Sequence, residues 1–244
     1  MNRRDFLKTG GILLVGTPCV YGLRMLTPAG SSASSEALST SVPRWGMIID
    51  LNKCAADCTD CMEACRAENN VALHGSQKWD IHWIRKVQIK SKDPAIHNEK
   101  SVPLLCNHCD KPPCALVCPV KATYKRADGI VIVDQHRCIG CRYCMIACPY
   151  NARYFNFKEN HDWSNKDYPK RSHGVTESCT LCAHLLDQGR MPACAQACQK
   201  KHGALLVGDL NDPDSDIARL IANNPVKRLR EDLGTEPKVF YIGL

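Results

Sequence analysis

The chain has 244 residues, 17 of them cysteine, with 23% charged residues and a formal net charge of +7. Cysteine at about 7% is several-fold above ordinary usage yet below small disulfide scaffolds, and 4 Phe, 7 Tyr and 4 Trp make a thin side-chain core for this length. No Gly-Xaa-Yaa period, heptad array or uncharged apolar run of roughly 18 residues occurs, which excludes collagen, coiled coil and a polytopic membrane protein and leaves one large or two small globular domains.

The first predicted element is an export signal over residues 1–33. Asn2-Arg3-Arg4-Asp5-Phe6-Leu7-Lys8 precedes an apolar run from Thr9 to Leu23, then Arg24 and a small-residue stretch from Thr27 to Ser34. A basic start, a short apolar middle and small residues at a cut site make a secretory signal. The paired arginines before Phe6-Leu7-Lys8 resemble a twin-arginine signal, with Asn2 where Ser or Thr is usual. Gly10, Gly11, Gly16 and Pro18 make the run a poor core helix, and it is short for a membrane span. Cleavage is expected after Ala33, with retention as an anchor the alternative. Cys19 follows a poor lipobox, Gly16-Thr17-Pro18, and reads as incidental. Residues 34–45 form a linker.

The other sixteen cysteines fall into four quartets. Cys54, Cys58, Cys61 and Cys65 are spaced C-x3-C-x2-C-x3-C. Cys106, Cys109, Cys114 and Cys118 are spaced C-x2-C-x4-C-x3-C, followed by Pro119. Cys138, Cys141, Cys144 and Cys148 are spaced C-x2-C-x2-C-x3-C, followed by Pro149. Cys179, Cys182, Cys194 and Cys198 are spaced C-x2-C-x11-C-x3-C. The third run matches the bacterial ferredoxin pattern with its proline. Three thiolates a few residues apart let a tight loop wrap one cubane, and the fourth ligates the neighbouring cluster. The second and third quartets, 19 residues apart, suit this mutual exchange.

Structural zinc would use two C-x2-C pairs per ion, with no third cysteine in the same loop. Disulfides suit an exported protein, yet C-x2-C bridges close strained short loops. Covalent c-type haem needs C-x-x-C-H, and no C-x2-C pair here is followed by His. Export through the twin-arginine route also fits metal loading, since that route carries folded proteins whose clusters are already in place.

The chain repeats in the order a-b-a-b. Predicted strands Met47–Asp50 and Ile130–Asp134 both end in Asp-x3-Cys. Pro113-Cys114-Ala115 and Pro192-Ala193-Cys194-Ala195 share the other pattern. Arg126-Ala127-Asp128-Gly129 reads as a hairpin turn after Ala122-Thr123-Tyr124, and Gly203–Val207 as a further strand. The fold class is therefore α+β, two nested ferredoxin-like modules over residues 46–210. An inner unit, 102–150, is inserted in an outer one, 46–68 plus 175–210. Spacing supports the inner pairing, and the outer follows by elimination.

Forty residues between Cys65 and Cys106 and thirty between Cys148 and Cys179 are expected to be partner-facing insertions. The first carries a partly alternating strand, His82–Lys90. The second opens with aromatics from Tyr150 to Phe157, read as local core rather than as a tunnelling bridge. In the tail, 211–244, Ser215 caps a helix with Ile217, Leu220 and Ile221 on one face, ended by Pro225. Gly234–Ile242 reads as a turn and a last strand. His108 and His136 flank ligand cysteines, either tuning potential or lying as solvated loop histidines. No G-x-G-x-x-G or P-loop occurs.

These quartets resemble the four-cluster iron–sulfur subunits of membrane-bound respiratory oxidoreductases, of polysulfide, tetrathionate, dimethyl sulfoxide, hydrogenase and formate-dependent nitrite reductase type. Cys106-Asn107-His108-Cys109-Asp110-Lys111-Pro112-Pro113-Cys114, Asp128-Gly129-Ile130-Val131, Cys138-Ile139-Gly140-Cys141-Arg142 and Gly234-Thr235-Glu236-Pro237-Lys238-Val239 resemble most the DsrO-type periplasmic subunits of the Dsr sulfite-reduction membrane complex. The resemblance implies four [4Fe–4S] clusters, an integral membrane quinone-reactive partner of NrfD type and, in the Dsr complex, a multihaem cytochrome c. It also implies the ligand sets: Cys54, Cys58 and Cys61 with Cys198; Cys179, Cys182 and Cys194 with Cys65; Cys106, Cys109 and Cys114 with Cys148; Cys138, Cys141 and Cys144 with Cys118. Many relatives have C-x2-C where this chain has Cys54-Ala55-Ala56-Asp57-Cys58, a loop one residue wider.

The expected function is a one-electron relay at the periplasmic face of the membrane, with no substrate pocket of its own. The rivals are a stand-alone reductase with an open cluster site and a zinc or disulfide structural protein. Although +7 suits a nucleic-acid partner, residues 1–33 carry +3 of it. Four oxidised clusters with their thiolates contribute about −8, which leaves the mature protein near −4 and speaks against nucleic acid.

Overall fold

The computed structural model describes residues 42–90, 99–161 and 163–244. The export signal, its cut after Ala33, Cys19 and most of the linker lie outside the described residues.

Four strands form the main sheet: β1 (Trp45–Asp50), β8 (Leu205–Asp209), β9 (Val226–Lys227) and β10 (Val239–Ile242), in the order β8-β1-β10-β9. β1 runs antiparallel to β8 and parallel to β10, with Met47 opposite Val239. Met47, Ile48 and Ile49 are all buried, because β1 is covered on both faces. A continuous apolar run is the mark of such a strand. Met47 and Ile49 face the main core, whereas Ile48 packs with Ile217 of helix α6 (Asp216–Asn223). That helix starts as predicted, with the Ala218 N–H donating to Ser215 Oγ at 3.3 Å.

Three two-stranded ribbons complete the strands. β2 (Arg85–Lys90) pairs with β3 (Glu99–Leu104), β4 (Thr123–Lys125) with β5 (Val131–Val133), and β6 (Tyr154–Phe155) with β7 (Thr176–Glu177). The β4–β5 turn is the predicted Arg126–Gly129 one, closed by the Gly129 N–H on the Arg126 carbonyl at 3.0 Å. The remaining helices are short and bear cysteines or follow them: α1 (Asp60–Asn69), α2 (Pro113–Leu116), α3 (Tyr143–Ile146), α4 (Ala183–Leu186) and α5 (Ala193–Gln199).

The main core explains the small aromatic count. It mixes aliphatic side chains with the thiols of Cys61, Cys65, Cys106, Cys109, Cys179 and Cys194. The tail is part of this body. Residues 235–238 lie along the Asn107–Lys111 loop, with the Lys238 N–H on the Asn107 carbonyl at 2.9 Å and the Lys111 N–H on the Thr235 carbonyl at 3.1 Å. The aromatics of the second insertion differ from expectation. Tyr150 is buried, but Phe157 is 53% exposed. The Arg142 guanidinium lies over Phe155 and Phe157, so a cation on the wet side replaces part of the burial. Among the described residues no helix is long and apolar enough to cross a membrane.

Candidate metal centres

Two helix pairs bring the quartets together. Cys61 and Cys65 are four residues apart on α1, and Cys194 and Cys198 four apart on α5, so each pair shares a helix face. The helices pack against each other. Cys61 meets Cys198 while Cys65 meets Cys194, so they run in opposite directions. The shorter α2 and α3 also pack together, with Cys114 and Cys144 on them and Cys118 and Cys148 two residues past their ends, and Cys114 meets Cys148. Antiparallel helices carrying i,i+4 thiols must each give one thiol to either end of the pair.

Cys54, Cys58, Cys61 and Cys198 line one small cavity. Cys106, Cys109, Cys114 and Cys148 line a second. Cys118, Cys138, Cys141 and Cys144 line a third. Cys65 lies among Cys179, Cys194 and Cys182, all four buried. All sixteen are free thiols. Among the described residues no three His, Cys, Asp or Glu side chains close on a point that one ion could occupy. Thiols that ring a cavity suit the corners of a polynuclear cluster, and the residues fit [4Fe–4S] centres better than zinc.

The loops turn backbone N–H groups toward sulfur. In the first C-x2-C loop of the second, third and fourth quartets, the residue before the second cysteine has positive φ: His108 (42°), Gly140 (71°) and Leu181 (52°). A left-handed residue makes a concave nest of N–H groups that suits an anion. The Leu181 N–H donates to Cys179 Sγ at 3.3 Å and the Thr123 N–H to Cys118 Sγ at 3.4 Å. The C-x3-C loop, residues 54–58, has no left-handed residue. Lys86 of β2 holds it instead, with Nζ donating to the carbonyls of Ala55 (2.6 Å), Ala56 (3.3 Å) and Cys58 (2.8 Å). Lys86 carries no sequence signal, because its role arises only when β2 crosses the loop.

Burial pushes the Cys61 and Cys109 thiols up to about 11 and Cys106 to about 12. Burial also raises Cys65 and Cys179 well above the usual thiol range, and neighbouring thiols add to the rise. Such thiols stay protonated at neutral pH until a metal replaces the proton. For Cys118, desolvation pushes up, but N–H groups of Thr123, Val120 and Ala122 hold it below the usual thiol range. His108 is not a solvated loop histidine. It is buried, its Nδ1 accepts the Val131 N–H at 3.1 Å, and desolvation drives it down to about 3. The ring is therefore neutral at physiological pH, with Nδ1 free to accept, and its bond to the Val131 N–H holds β5 in place. His136 is exposed.

The quartets follow one another in space. Cys65 lies near Cys61, Cys179 near Cys106, and Cys114 near Cys144. The order is therefore the Cys54 set, the Cys65 set, the Cys106 set and the Cys118 set. The second is wholly buried, whereas the two end sets hold half-exposed thiols, with Cys141 exposed.

Residues 98–209 match the 4Fe-4S dicluster domain family. The chain is 40% identical to the Hdr-like menaquinol oxidoreductase iron-sulfur subunit 1 of Archaeoglobus fulgidus, over all of this chain and 98% of that protein. It is 37% identical to a tetrathionate reductase subunit of Salmonella typhimurium, over all of this chain and 88% of the relative. It is 38% identical to the menaquinone reductase iron-sulfur cluster-binding subunit of Nitratidesulfovibrio vulgaris, over 82% of this chain and 88% of that one. With sixteen thiols gathered in sets that suit cubanes, the chain belongs to the family of [4Fe–4S] electron-transfer subunits of membrane-bound respiratory oxidoreductases.

Proposed function

We propose that this chain is a four-cluster relay, each cluster held by one of the four thiol sets in the order given above. The observation that carries this reading is the gradient along that order: sheltered thiols in the middle, reachable ones at both ends. The protein sets spacing, burial and hydrogen bonding, and hence potential, while the clusters supply the redox chemistry when bound.

One end has a surface suited to a membrane-embedded partner. Around the Cys118 set, Leu116 and Ile146 are each 84% exposed, Ile139 64% and Tyr143 58%. Apolar side chains gathered on one face mark an interaction site. We read it as the dock for a quinone-reactive integral membrane subunit of NrfD type, in keeping with the menaquinol and menaquinone named in two relatives. The finer reading is a DsrO-type subunit, exported by the twin-arginine route, with a multihaem cytochrome c neighbour and a link to sulfite reduction. The full-length similarity to a tetrathionate reductase subunit favours, as second reading, service to another respiratory oxidoreductase.

Anaerobic purification of the detergent-solubilised complex tests these readings together. The expected result is about 16 Fe per chain with acid-labile sulfide, visible absorption bleached by dithionite, and co-purifying quinone-reactive and haem subunits. Zinc alone, or no metal, overturns the relay. A molybdenum enzyme in place of the cytochrome selects the second reading.

A further inference from the structure

Arg153 lies just past the third quartet and is only 4% exposed. Its Nη2 donates to Cys114 Sγ at 3.1 Å and its Nη1 to Thr123 Oγ1 at 3.2 Å. Burial works against its charge, but four thiols hold it: Cys114 and Cys106, then Cys144 and Cys148. Three of these line the Cys106 cavity, and Cys144 lines the next one. Among the described residues no ion pair includes Arg153, whereas Asp110, Asp128 and Asp187 are each paired with other cations. Thr123, which anchors one arm of the guanidinium, also donates its N–H to Cys118. The side chain thus sits between two neighbouring thiol sets and touches one directly.

A guanidinium does not deprotonate in a protein, and a buried one without a counter-charge is strongly destabilising. The anions available to Arg153 are the thiolates and what they bind. We propose that Arg153 is a shared internal counter-ion that raises the reduction potential of the cluster held by Cys106, Cys109, Cys114 and Cys148, and to a smaller extent that of the cluster held by Cys118, Cys138, Cys141 and Cys144. The inference rests on the ligand sets proposed above. In each transfer the neighbouring cluster is oxidised by one electron and this one is reduced by that electron. The guanidinium is already protonated and takes up no proton. A fixed positive charge and an N–H donor to sulfur both favour the more negative, reduced state. Arg153 acts through the cluster and is a positioning residue, without contact to any substrate.

The test is an EPR-monitored redox titration of the intact complex, with iron analysis of each variant. In Arg153→Gln one potential is expected to fall most, a second less, and two to stay as in the wild type. Arg153→Lys keeps the charge and is expected to stay near the wild type. Where Arg153→Gln fails to load its clusters, Thr123→Val frees one arm of the guanidinium and is expected to lower the same potential by a smaller amount. Unchanged potentials in fully loaded Arg153→Gln or Thr123→Val overturn the inference. So does an equal shift at all four clusters, or a fall in Arg153→Lys as large as in Arg153→Gln. Wild-type complex far below about 16 Fe per chain instead overturns the relay reading on which it rests.

Discussion

Lys86 bears on the one loop whose spacing departs from the other three. Its ammonium gathers the Ala55, Ala56 and Cys58 carbonyls, where the loop's own backbone supplies only a long bond from the Cys58 N–H to the Ala55 carbonyl at 3.4 Å. Hydrogen bonds from a charged group contribute about 1.5–3 kcal/mol net when sheltered, and less here, where the loop is partly exposed. Lys86→Met is expected to destabilise the protein by about 1–2 kcal/mol, read by thermal unfolding, and to release one cluster's iron first, read by iron-to-protein ratio under mild chelation. Gly140 makes the opposite case. It is left-handed, and a Cβ there would press on the Gly174 carbonyl oxygen. Gly140→Ala is expected to cost about 1–3 kcal/mol and to lose the Cys118-set cluster selectively, which iron analysis and EPR spin counts would detect. The cysteines were legible because ligand spacing is a local property of the chain. Lys86 and Arg153 were not, since their partners lie 28 to 39 residues away and nothing in an ordinary Lys or Arg announces a contact.

Elements show the same division between local and distant causes. The β4–β5 hairpin and helix α6 follow from turn and cap residues within four positions of one another. Strand β2 could be read from its alternation, but β3, Glu99–Leu104, contains Pro103 and two charged residues and reads as loop. It forms a strand because it pairs with β2 in a two-stranded ribbon, where a missing N–H is tolerated at an edge. The left-handed position in three C-x2-C loops could be suspected only at Gly140, since His108 and Leu181 give no such hint. Ser215→Ala is expected to lower stability by about 0.5–2 kcal/mol in denaturant unfolding, through the lost bond to the Ala218 N–H, while iron content stays unchanged. The cap lies on the far side of β1 from the thiols, so a change in iron content would mean that α6 supports the sheet's cluster-facing side. Cys144→Ser, on α3, is expected to remove one cluster and interrupt transfer, and unchanged EPR spin counts with unchanged turnover would refute its place in the Cys118 set.

At the scale of the molecule, the thin core and the excess of cysteine describe the same fact. Six thiols belong to the main buried cluster, so the inorganic centres occupy volume that aromatic side chains fill elsewhere. Removing iron by anaerobic chelation at low pH is expected to abolish near-UV circular dichroism and cooperative unfolding, with native signals retained by the apoprotein as the contrary result. Thiols that burial holds at about 11 to 12 must surrender protons on loading. Reconstitution is therefore expected to acidify a weakly buffered solution and to grow more favourable from pH 7 to 9, measured by pH-stat and visible absorption. The parallel neighbour of β1 was beyond reach of sequence reading, because no local pattern says which of two apolar strands will pair across almost the whole chain.

That pairing sets a clock on biosynthesis. β10 lies between β1 and β9, and the segment just before it lines the Asn107–Lys111 loop beside Cys109. A nascent polypeptide can present every cysteine to the assembly machinery while still tethered to the ribosome, yet its central sheet has a gap until residue 242 has emerged. The sheet therefore closes only after the last cysteine, Cys198, has been made, and a chain stopped between the two lacks the strand that joins β1 to β9.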